Sequence, residues 1–263
     1  MDILQKIVKH KLEEIKLKKT QVSVQSLENS PLFKMPKYSL TEAIKNKTKS
    51  GIIAEFKRRS PSKPKINLHA NIKEITTGYI SANAAALSVL TDEHFFGGSL
   101  NDLAIARKHN KCPILRKDFI IDEYQIIEAK SYGADAILLI AEILTNKQIK
   151  TLSAYAQSIG LEVLMEIHNE NELEKITENI NLLGVNNRNL KTFDVSIQTS
   201  LDIALKINTD ITLISESGIK NIESIKKLKN AGFEGFLIGE AFMKHENPAQ
   251  ECELLAQQIL KLR

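Results

Sequence analysis

Eight short apolar segments recur from residue 51 onward, and each is followed by a segment with helical periodicity. The apolar segments predict β-strands near residues 51–56, 85–90, 113–117, 135–140, 162–167, 182–186, 211–215 and 235–239. Helices are predicted near residues 68–81, 99–109, 122–131, 145–158, 169–179, 195–206 and 220–230, with a last one at 247–262. Strands that alternate with helices favour a parallel sheet built from βα units. Eight such units fit one closed (β/α)8 TIM barrel in the α/β class.

The chain length by itself leaves the number of domains open. The 263 residues, 43% of them hydrophobic, can form one large α/β domain or two small ones, and the regular alternation favours one. An open doubly wound sheet is the main alternative, but it more often carries a GxGxxG motif after the first strand, and none follows here. We therefore predict a barrel domain at 48–263, preceded by an N-terminal helical extension at 1–47.

The extension contains an amphipathic helix of its own. Apolar residues recur in it at helical spacing, at Ile3, Leu4, Ile7, Val8, Leu12 and Ile15. A second apolar cluster near Leu32, Phe33 and Ile44 suggests that the extension stays docked. We expect it to cap one end of the barrel.

Composition excludes several classes of function. The formal charge of +4 is spread along the chain without a long basic block, so nucleic-acid binding is not supported, although a pI near 8.8 helps to attract an anionic substrate. The sequence offers no apolar segment for a signal peptide or a membrane span, which predicts a soluble, cytoplasmic protein. Cys112 and Cys252 lack metal-ligand spacing, so neither a disulfide framework nor a zinc site is expected.

Charged and polar residues end five of the apolar segments. They are Glu55 and Lys57 in IIAEFK, Lys117 in PILRKDF, Glu166 in LEVLMEI, Asn186 and Arg188 in LLGVNNRN, and Glu216 in TLISESG. Strand side chains alternate, so Glu55 and Lys57 share one face, as do Asn186 and Arg188. In TIM barrels the C-terminal ends of the strands carry the active site. One such residue would suggest a structural ion pair, but the whole set predicts a catalytic pocket.

Lys117 and Glu166 are the clearest candidates for acid–base chemistry. Each ends a predicted buried strand, where a lysine must be paired or partly desolvated and its pKa can be tuned. Asp118 should point to the opposite face of its strand and is left out of the pocket. His94 and His168 have no His or Cys partners at metal-ligand spacing, which favours surface or supporting roles.

Two glycine-containing turns after the last strands are candidates for anion binding. SESGI contains Gly218 and LIGEAF contains Gly239, and barrels often bind phosphate with the loops after strands seven and eight. Ordinary turns are the alternative interpretation. Glu240 is an awkward neighbour for a phosphate, so we expect its side chain to point away or to cap the helix.

Two further features belong to the predicted mouth of the barrel. Phe96 and Phe119, with Phe95 nearby, can form an apolar wall for an aromatic ring or can simply be core residues. The basic, proline-containing segment KRRSPSKPKIN after the first strand is typical of a mobile lid, or alternatively of a solvated loop.

Seven blocks, in this order, resemble the indole-3-glycerol-phosphate synthase family. They are EFKRRSPS, FFGGS, ILRKDFIIDEYQI, LMEIHNENEL, GVNNRNLKTF, ISESGI and FLIGEAFM. The resemblance implies conversion of 1-(2-carboxyphenylamino)-1-deoxyribulose 5-phosphate to indole-3-glycerol phosphate, with loss of CO2 and water, in tryptophan biosynthesis. It implies a carboxy-lyase that needs no metal and no organic cofactor. The expected partner is this sugar phosphate, with no nucleic acid or membrane, and a monomer is expected rather than a homo-oligomer.

The resemblance also implies residue roles. Lys117 matches the general acid of ring closure, while Glu166 and Lys57 match the groups of the dehydration phase, in an order that the sequence leaves open. Glu55 matches a carboxylate that holds the substrate and stabilises positive charge on its nitrogen. Asn186 and Arg188 resemble polar residues that support the sugar hydroxyls, the carboxylate or the glutamates. Glu216 and Ser217 match positions near the substrate hydroxyls, and the phosphate end is matched by Ser60, Gly218, Gly239 and Glu240.

Three other functions stay open at this point. A Schiff-base aldolase would also use a strand-end lysine and a phosphate site. A phosphoribosylanthranilate isomerase would bind a similar ligand. The catalytic cysteine that this family is expected to carry at the end of strand one is absent, and Glu55 occupies that region instead. A non-catalytic metabolite-binding barrel would not require so many opposed charges at the strand ends.

Overall fold

The predicted TIM barrel is confirmed. A computed structural model describes residues 2–190 and 192–262. Eight parallel strands close into one barrel in chain order: β1 Ile52–Phe56, β2 Ala86–Leu90, β3 Ile114–Lys117, β4 Ala136–Ile140, β5 Glu162–Ile167, β6 Leu182–Asn186, β7 Thr212–Glu216 and β8 Phe233–Ile238. The predicted strand limits differ from these by at most two residues.

Helices surround the barrel and form the N-terminal extension. The extension contains α1 Ile3–Gln21, α2 Val24–Glu28, a 3₁₀ segment Pro31–Lys34 and α3 Leu40–Lys45. The barrel helices are α4 Ile72–Ser81, α5 Leu100–His109, α6 Glu123–Ser131, α7 Asn146–Ser158, α8 Gln198–Ala204, α9 Ile222–Asn230, α10 Glu240–Met243 and α11 Pro248–Leu260. Short 3₁₀ segments lie at Ala141–Ile143 and Glu170–Lys175. Within the described ranges, no helix combines the length and the apolar character that crossing a membrane requires.

Side-chain alternation in β1 divides the core into an inner and an outer part. Ile52, Ala54 and Phe56 belong to the large cluster between strands and helices, whereas Ile53 belongs to the cluster inside the barrel. Glu55 shares the inward face of Ile53 because side chains two residues apart point the same way. By the same alternation, the last inward-facing side chain of a strand lies at the C-terminal opening of the barrel.

The N-terminal extension contacts both ends of the barrel. Leu4 and Ile7 of α1 and Leu40 and Ile44 of α3 all join the inner cluster. The α3 end lies at the strand N-termini, where Ser39 Oγ donates to a carboxylate oxygen of Glu162, the first residue of β5, at 2.6 Å. The division between extension and barrel after residue 47 stays a prediction.

Two details of the sequence prediction are wrong. Leu12 of α1 is 58% exposed, and the buried position on that face is Lys11. The helix predicted at 169–179 is a 3₁₀ segment that ends at Lys175. Thr177, Asn179 and Asn181 follow it, and such residues form helices poorly because their side chains compete for backbone hydrogen bonds.

Candidate active site

A cavity of about 400 Å³ opens at the C-terminal ends of the strands, and the predicted site residues meet there. Its lining includes Glu55, Lys57, Ser60, Phe96, Lys117, Phe119, Glu166, Asn186, Arg188, Glu216, Ser217, Gly218, Gly239 and Glu240. These residues come from most of the strands and the loops that follow them. The barrel thus brings together side chains that lie as far apart in the sequence as Glu55 and Glu240.

Lys117 lies between two buried glutamates. Its Nζ is 3.0 Å from Oε2 of Glu166 and 3.5 Å from Oε2 of Glu216. Burial alone would lower the pKa of Lys117, but the charges of Glu166, Glu216 and Glu55 outweigh it and raise the pKa above its ordinary value. The side chain is therefore an ammonium group at neutral pH, which can give a proton to an oxygen atom in the cavity.

Three side chains contact the carboxylate of Glu166. Besides Lys117, Asn186 Nδ2 donates to its Oε1 at 3.1 Å, and His168 Nε2 lies 3.2 Å from the same oxygen. Burial opposes ionisation of this carboxyl, but Lys117, His168 and Asn186 hold its pKa well below the usual range. Glu166 is therefore ionised at neutral pH.

Glu216 has the opposite electrostatic environment. It is 1% exposed, and burial, together with the neighbouring Glu166 and Glu55, raises its pKa to about 8 against the opposing effect of Lys117. Gly184 of β6 faces it, and a Cβ atom there would overlap Oε1 of Glu216. Glycine at this position therefore leaves the space that the carboxyl group fills.

Glu55 and Lys57 form a second charged pair in the cavity. Lys57 Nζ lies 2.6 Å from Oε1 of Glu55, as expected for neighbours on one strand face. Ser88 Oγ lies 3.4 Å from the other carboxylate oxygen. Gly239 packs against Glu55, because a Cβ atom there would approach Oε1 to 2.5 Å.

Two of the candidate aromatic residues form a wall. The rings of Phe96 and Phe119 have centroids 5.8 Å apart, and both line the cavity. Phe95 instead packs edge-on against His10 and His94. The arrangement provides an apolar surface for a planar ring.

Cations and turns from the loops after β1, β7 and β8 also line the cavity. Ser217 and Gly218 both have positive φ, at 66° and 72°, and the Asn187 side chain donates to the Ser217 carbonyl at 3.0 Å. Lys63, Lys220 and Lys244 line the cavity as well. The Glu240 carboxylate lies 2.5 Å from Lys63 Nζ and 3.6 Å from Arg188 Nη2, so it is paired with cations and does not cap α10.

The loop after β1 is tied to its neighbours. Arg58 donates two hydrogen bonds to Asp102, at 2.6 and 2.9 Å, and Arg59 Nη2 donates to the carbonyl oxygens of Glu93 and His94. Ser60 and Lys63 exchange backbone hydrogen bonds, which turn this loop over the cavity. Whether it moves as a lid stays a prediction.

Sequence reasoning missed part of the site. Ile3, Leu4 and Ile7 of α1 line the cavity, although periodicity alone could not say which surface this helix covers. The sequence predicts a supporting role for His168 but does not identify the residue that it contacts, which is Glu166. Asp118 also borders the cavity, but its carboxylate is engaged by Lys11 and Arg116.

One side-chain group resembles a metal site by proximity. Glu142, His168 and Glu172 offer atoms that lie within 4.8 Å of one another. Glu172 Oε2 already accepts the His168 backbone N–H at 2.7 Å, and His168 Nε2 faces Glu166. We interpret the group as a supporting hydrogen-bond cluster and do not identify metal ligands in it. The expected independence from metal and cofactor stays a prediction.

Comparison with known proteins gives a consistent result. The family model described as indole-3-glycerol phosphate synthase matches residues 4–255. An indole-3-glycerol phosphate synthase of Bacteroides thetaiotaomicron is 47% identical over 252 residues, covering 96% of each chain. The Burkholderia cenocepacia protein of that name is 44% identical over 253 residues, covering 95% of this chain and 97% of its own.

Solved structures at low sequence identity share the fold. The chain matches 3-hexulose-6-phosphate synthase from Salmonella typhimurium with a TM-score of 0.63 at 14% identity, over 81% of this chain and 100% of that one. It matches tryptophan synthase subunit alpha from Legionella pneumophila with a TM-score of 0.60 at 16% identity, over 84% and 95% of the two chains. These structures support the barrel alone. The family match and the curated relatives go further, and together they show that this chain belongs to the indole-3-glycerol phosphate synthase family.

Proposed function

We propose that the cavity converts 1-(2-carboxyphenylamino)-1-deoxyribulose 5-phosphate to indole-3-glycerol phosphate, CO2 and water. The observation that carries this proposal is the placement of Lys117 between Glu166 and Glu216, beside an aromatic wall. The substrate has a planar anthranilate ring at one end and a phosphate at the other. The cavity offers Phe96 and Phe119 to the ring and a cationic side to the phosphate.

Ring closure requires an acid at the ketone. The ring carbon that bears the carboxylate attacks the ketone carbon, and the ketone oxygen takes up a proton as its double bond opens. Lys117 is the proposed general acid, because the surrounding glutamates keep it protonated. Loss of CO2 then restores the aromatic ring without a further proton donor.

Dehydration requires an acid and a base. The new hydroxyl group leaves as water, and a ring proton must be removed to complete the indole. Glu166 and Lys57 are the proposed groups for this phase, and the ionised state of Glu166 suits the role of base. Positioned groups of this kind each contribute roughly 10²–10⁴-fold, so a reaction with two proton-transfer phases benefits from separate groups.

The other residues hold the substrate. Glu55 is proposed to stabilise positive charge on the anilino nitrogen, which is supported by its position in the cavity lining next to Lys57. Asn186, Arg188, Glu216 and Ser217 are proposed to contact hydroxyl or carboxylate groups. Ser60, Gly218, Gly239 and Glu240 are proposed at the phosphate end, where Lys63, Lys220 and Lys244 add positive charge.

The alternatives are less well supported. A Schiff-base lysine must lose its proton to attack a carbonyl, whereas the carboxylates around Lys117 oppose this loss. An isomerase that uses a cysteine lacks support because Cys112 precedes β3 and Cys252 lies in α11, away from the cavity lining. A purely binding role does not require a protonated lysine between two buried carboxyl groups.

The direct test is conversion of the substrate by purified protein without added metal. Product is followed by fluorescence, which is convenient because the chain has no tryptophan, and released CO2 is measured in parallel. Equal amounts of CO2 and indole-3-glycerol phosphate are expected. No product from folded protein that binds the substrate would overturn the proposal. Borohydride trapping of Lys117 with a sugar phosphate would then test the aldolase.

The oligomeric state is also a proposal. The predicted site residues that line the cavity come from the strands and loops of a single barrel. We infer a monomer, and light scattering after size-exclusion chromatography checks this.

A further inference from the structure

Lys11 is a buried lysine that the proposed chemistry does not use. It lies on α1 and is 0% exposed. Its Nζ is 2.9 Å from Glu14, 3.0 Å from Asp92 and 3.1 Å from Asp118. A lysine charge is buried at this depth only when partners compensate its desolvation.

The two aspartates come from different loops at the mouth of the barrel. Asp92 follows β2, and its Oδ1 accepts the backbone N–H groups of Phe95 and Phe96 at 2.7 and 3.1 Å. Asp118 follows β3, and its Oδ1 accepts the backbone N–H of Phe119 at 2.8 Å. Each aspartate thus binds Lys11 with its carboxylate while fixing the backbone of one aromatic residue of the cavity wall.

Lys11 also fixes the position of α1 over the cavity. It lies one helical turn after Ile7, and Ile3, Leu4 and Ile7 line the cavity. The ammonium group is therefore a junction between the helix that covers the mouth and the two loops that carry Phe96 and Phe119. Burial alone would lower the pKa of Lys11, but Asp118, Asp92 and Glu14 outweigh it and raise the pKa, so the junction stays charged.

We propose that Lys11 is a positioning residue for the ring-binding part of the cavity. Its ammonium group holds Asp92, Asp118 and α1 in one arrangement, and this arrangement sets the spacing between Phe96, Phe119 and the apolar face of α1. The inference rests on the proposed function, because that function assigns this part of the cavity to an aromatic ring. Lys11 touches no reacting atom and acts through its partners.

An ion pair with a purely structural role would affect the stability of the protein but not the binding of the aromatic end of the substrate. The chain offers a matched control in Glu162, which accepts hydrogen bonds from Ser39 and Thr41 and so tethers the extension at the opposite end of the barrel. Glu162→Ala loosens the extension without touching the aromatic loops. Lys11→Met removes the charge and keeps a similar side-chain length.

The experiment measures kcat, KM and thermal unfolding of wild type, Lys11→Met and Glu162→Ala with the proposed substrate. Both variants should unfold at lower temperature. Lys11→Met should raise KM about 10-fold, as for loss of an apolar pocket contact, with a much smaller change in kcat. Glu162→Ala should leave KM unchanged.

A second variant keeps the inference testable if Lys11→Met does not fold. Asp92→Asn removes the charge opposite Lys11 but retains the oxygen that accepts the Phe95 and Phe96 N–H groups, so KM should rise in the same direction. An unchanged KM in a folded Lys11→Met protein, or in Asp92→Asn where the first variant is unfolded, would overturn the inference. An equal rise in KM for Glu162→Ala would overturn it as well. Failure of the wild type to turn over substrate would instead count against the proposed function.

Discussion

Glu166 and Glu216 face the same Lys117 ammonium group, yet their pKa values move in opposite directions. The distances from Nζ are 3.0 and 3.5 Å. Glu166 is also contacted by Asn186 and His168, and its pKa is lowered, whereas burial raises the pKa of Glu216 to about 8. Of these two carboxyl groups, Glu166 is ionised and Glu216 is protonated at neutral pH, and separated pKa values of this kind suit acid–base chemistry.

The raised pKa of Glu216 predicts a pH-dependent stability difference for Glu216→Gln. The folded protein keeps a proton on Glu216 up to about pH 8, while the unfolded chain loses it near 4.5. Folding therefore takes up a proton in this window, and wild-type stability falls as pH rises, by at most about 1.4 kcal/mol per pH unit from this group. Glutamine mimics the protonated form and lacks this loss.

Urea unfolding at several pH values between 4.5 and 8 checks this expectation. The stability of Glu216→Gln relative to wild type should increase steadily across the window, while its turnover should fall because a proposed substrate contact has changed. A relative stability independent of pH would show that Glu216 ionises normally in the folded protein.

The contact between His168 and Glu166 predicts linked titrations. Burial alone would lower the pKa of His168, but Glu166, Glu172 and Glu142 outweigh it and raise the pKa. Glu166→Gln should therefore lower the pKa of His168, because the nearest negative charge is lost. NMR titration of the imidazole resonances measures this, with the exposed His69 as an internal reference. An unchanged His168 titration in Glu166→Gln would contradict the 3.2 Å contact.

Gly184→Ala should damage the site from a neighbouring strand. The added Cβ would overlap Oε1 of Glu216 and approach the Leu164 side chain at 3.3 Å, so Glu216 must move. We expect a loss of activity, together with a stability loss of roughly 1–3 kcal/mol, as for other overpacked cores.

Gly160→Ala is the matched control. Gly160 has φ of 80°, and a Cβ atom added there would meet no atom of the described residues within 4 Å. Alanine at this position therefore costs backbone strain alone, roughly 1 kcal/mol. This control should lose stability and keep its activity. Equal activity in the two variants would mean that Gly184 does not set the position of Glu216.

Much of the barrel and its site could be predicted because the barrel makes strand ends converge. Apolar runs that end in a charged residue predicted Lys117, Glu166 and Glu216 as site residues. All three line one cavity. Alternation within β1 placed Glu55 on the inward face. These inferences need only the strand period and the rule that parallel strands present their ends at one rim.

The rest depends on contacts between distant segments. Lys11 sits between Ile7 and Ile15 on the buried face of α1, a spacing visible in the sequence, but its pairing with Glu14 also resembles an ordinary surface pair. Its true partners are Asp92 and Asp118, which no local pattern identifies. The short 3₁₀ segment Glu170–Lys175 was missed because charged residues at helical spacing look like a longer helix.

The central claim is that Lys117 is the general acid of ring closure, and Lys117→Met tests it most directly. Product formation and substrate binding should be measured side by side, using fluorescence for both. We predict a fall in kcat of roughly 10²–10⁴-fold, with substrate still bound by a folded protein. Near wild-type turnover in Lys117→Met would contradict the assignment of Lys117 as the general acid.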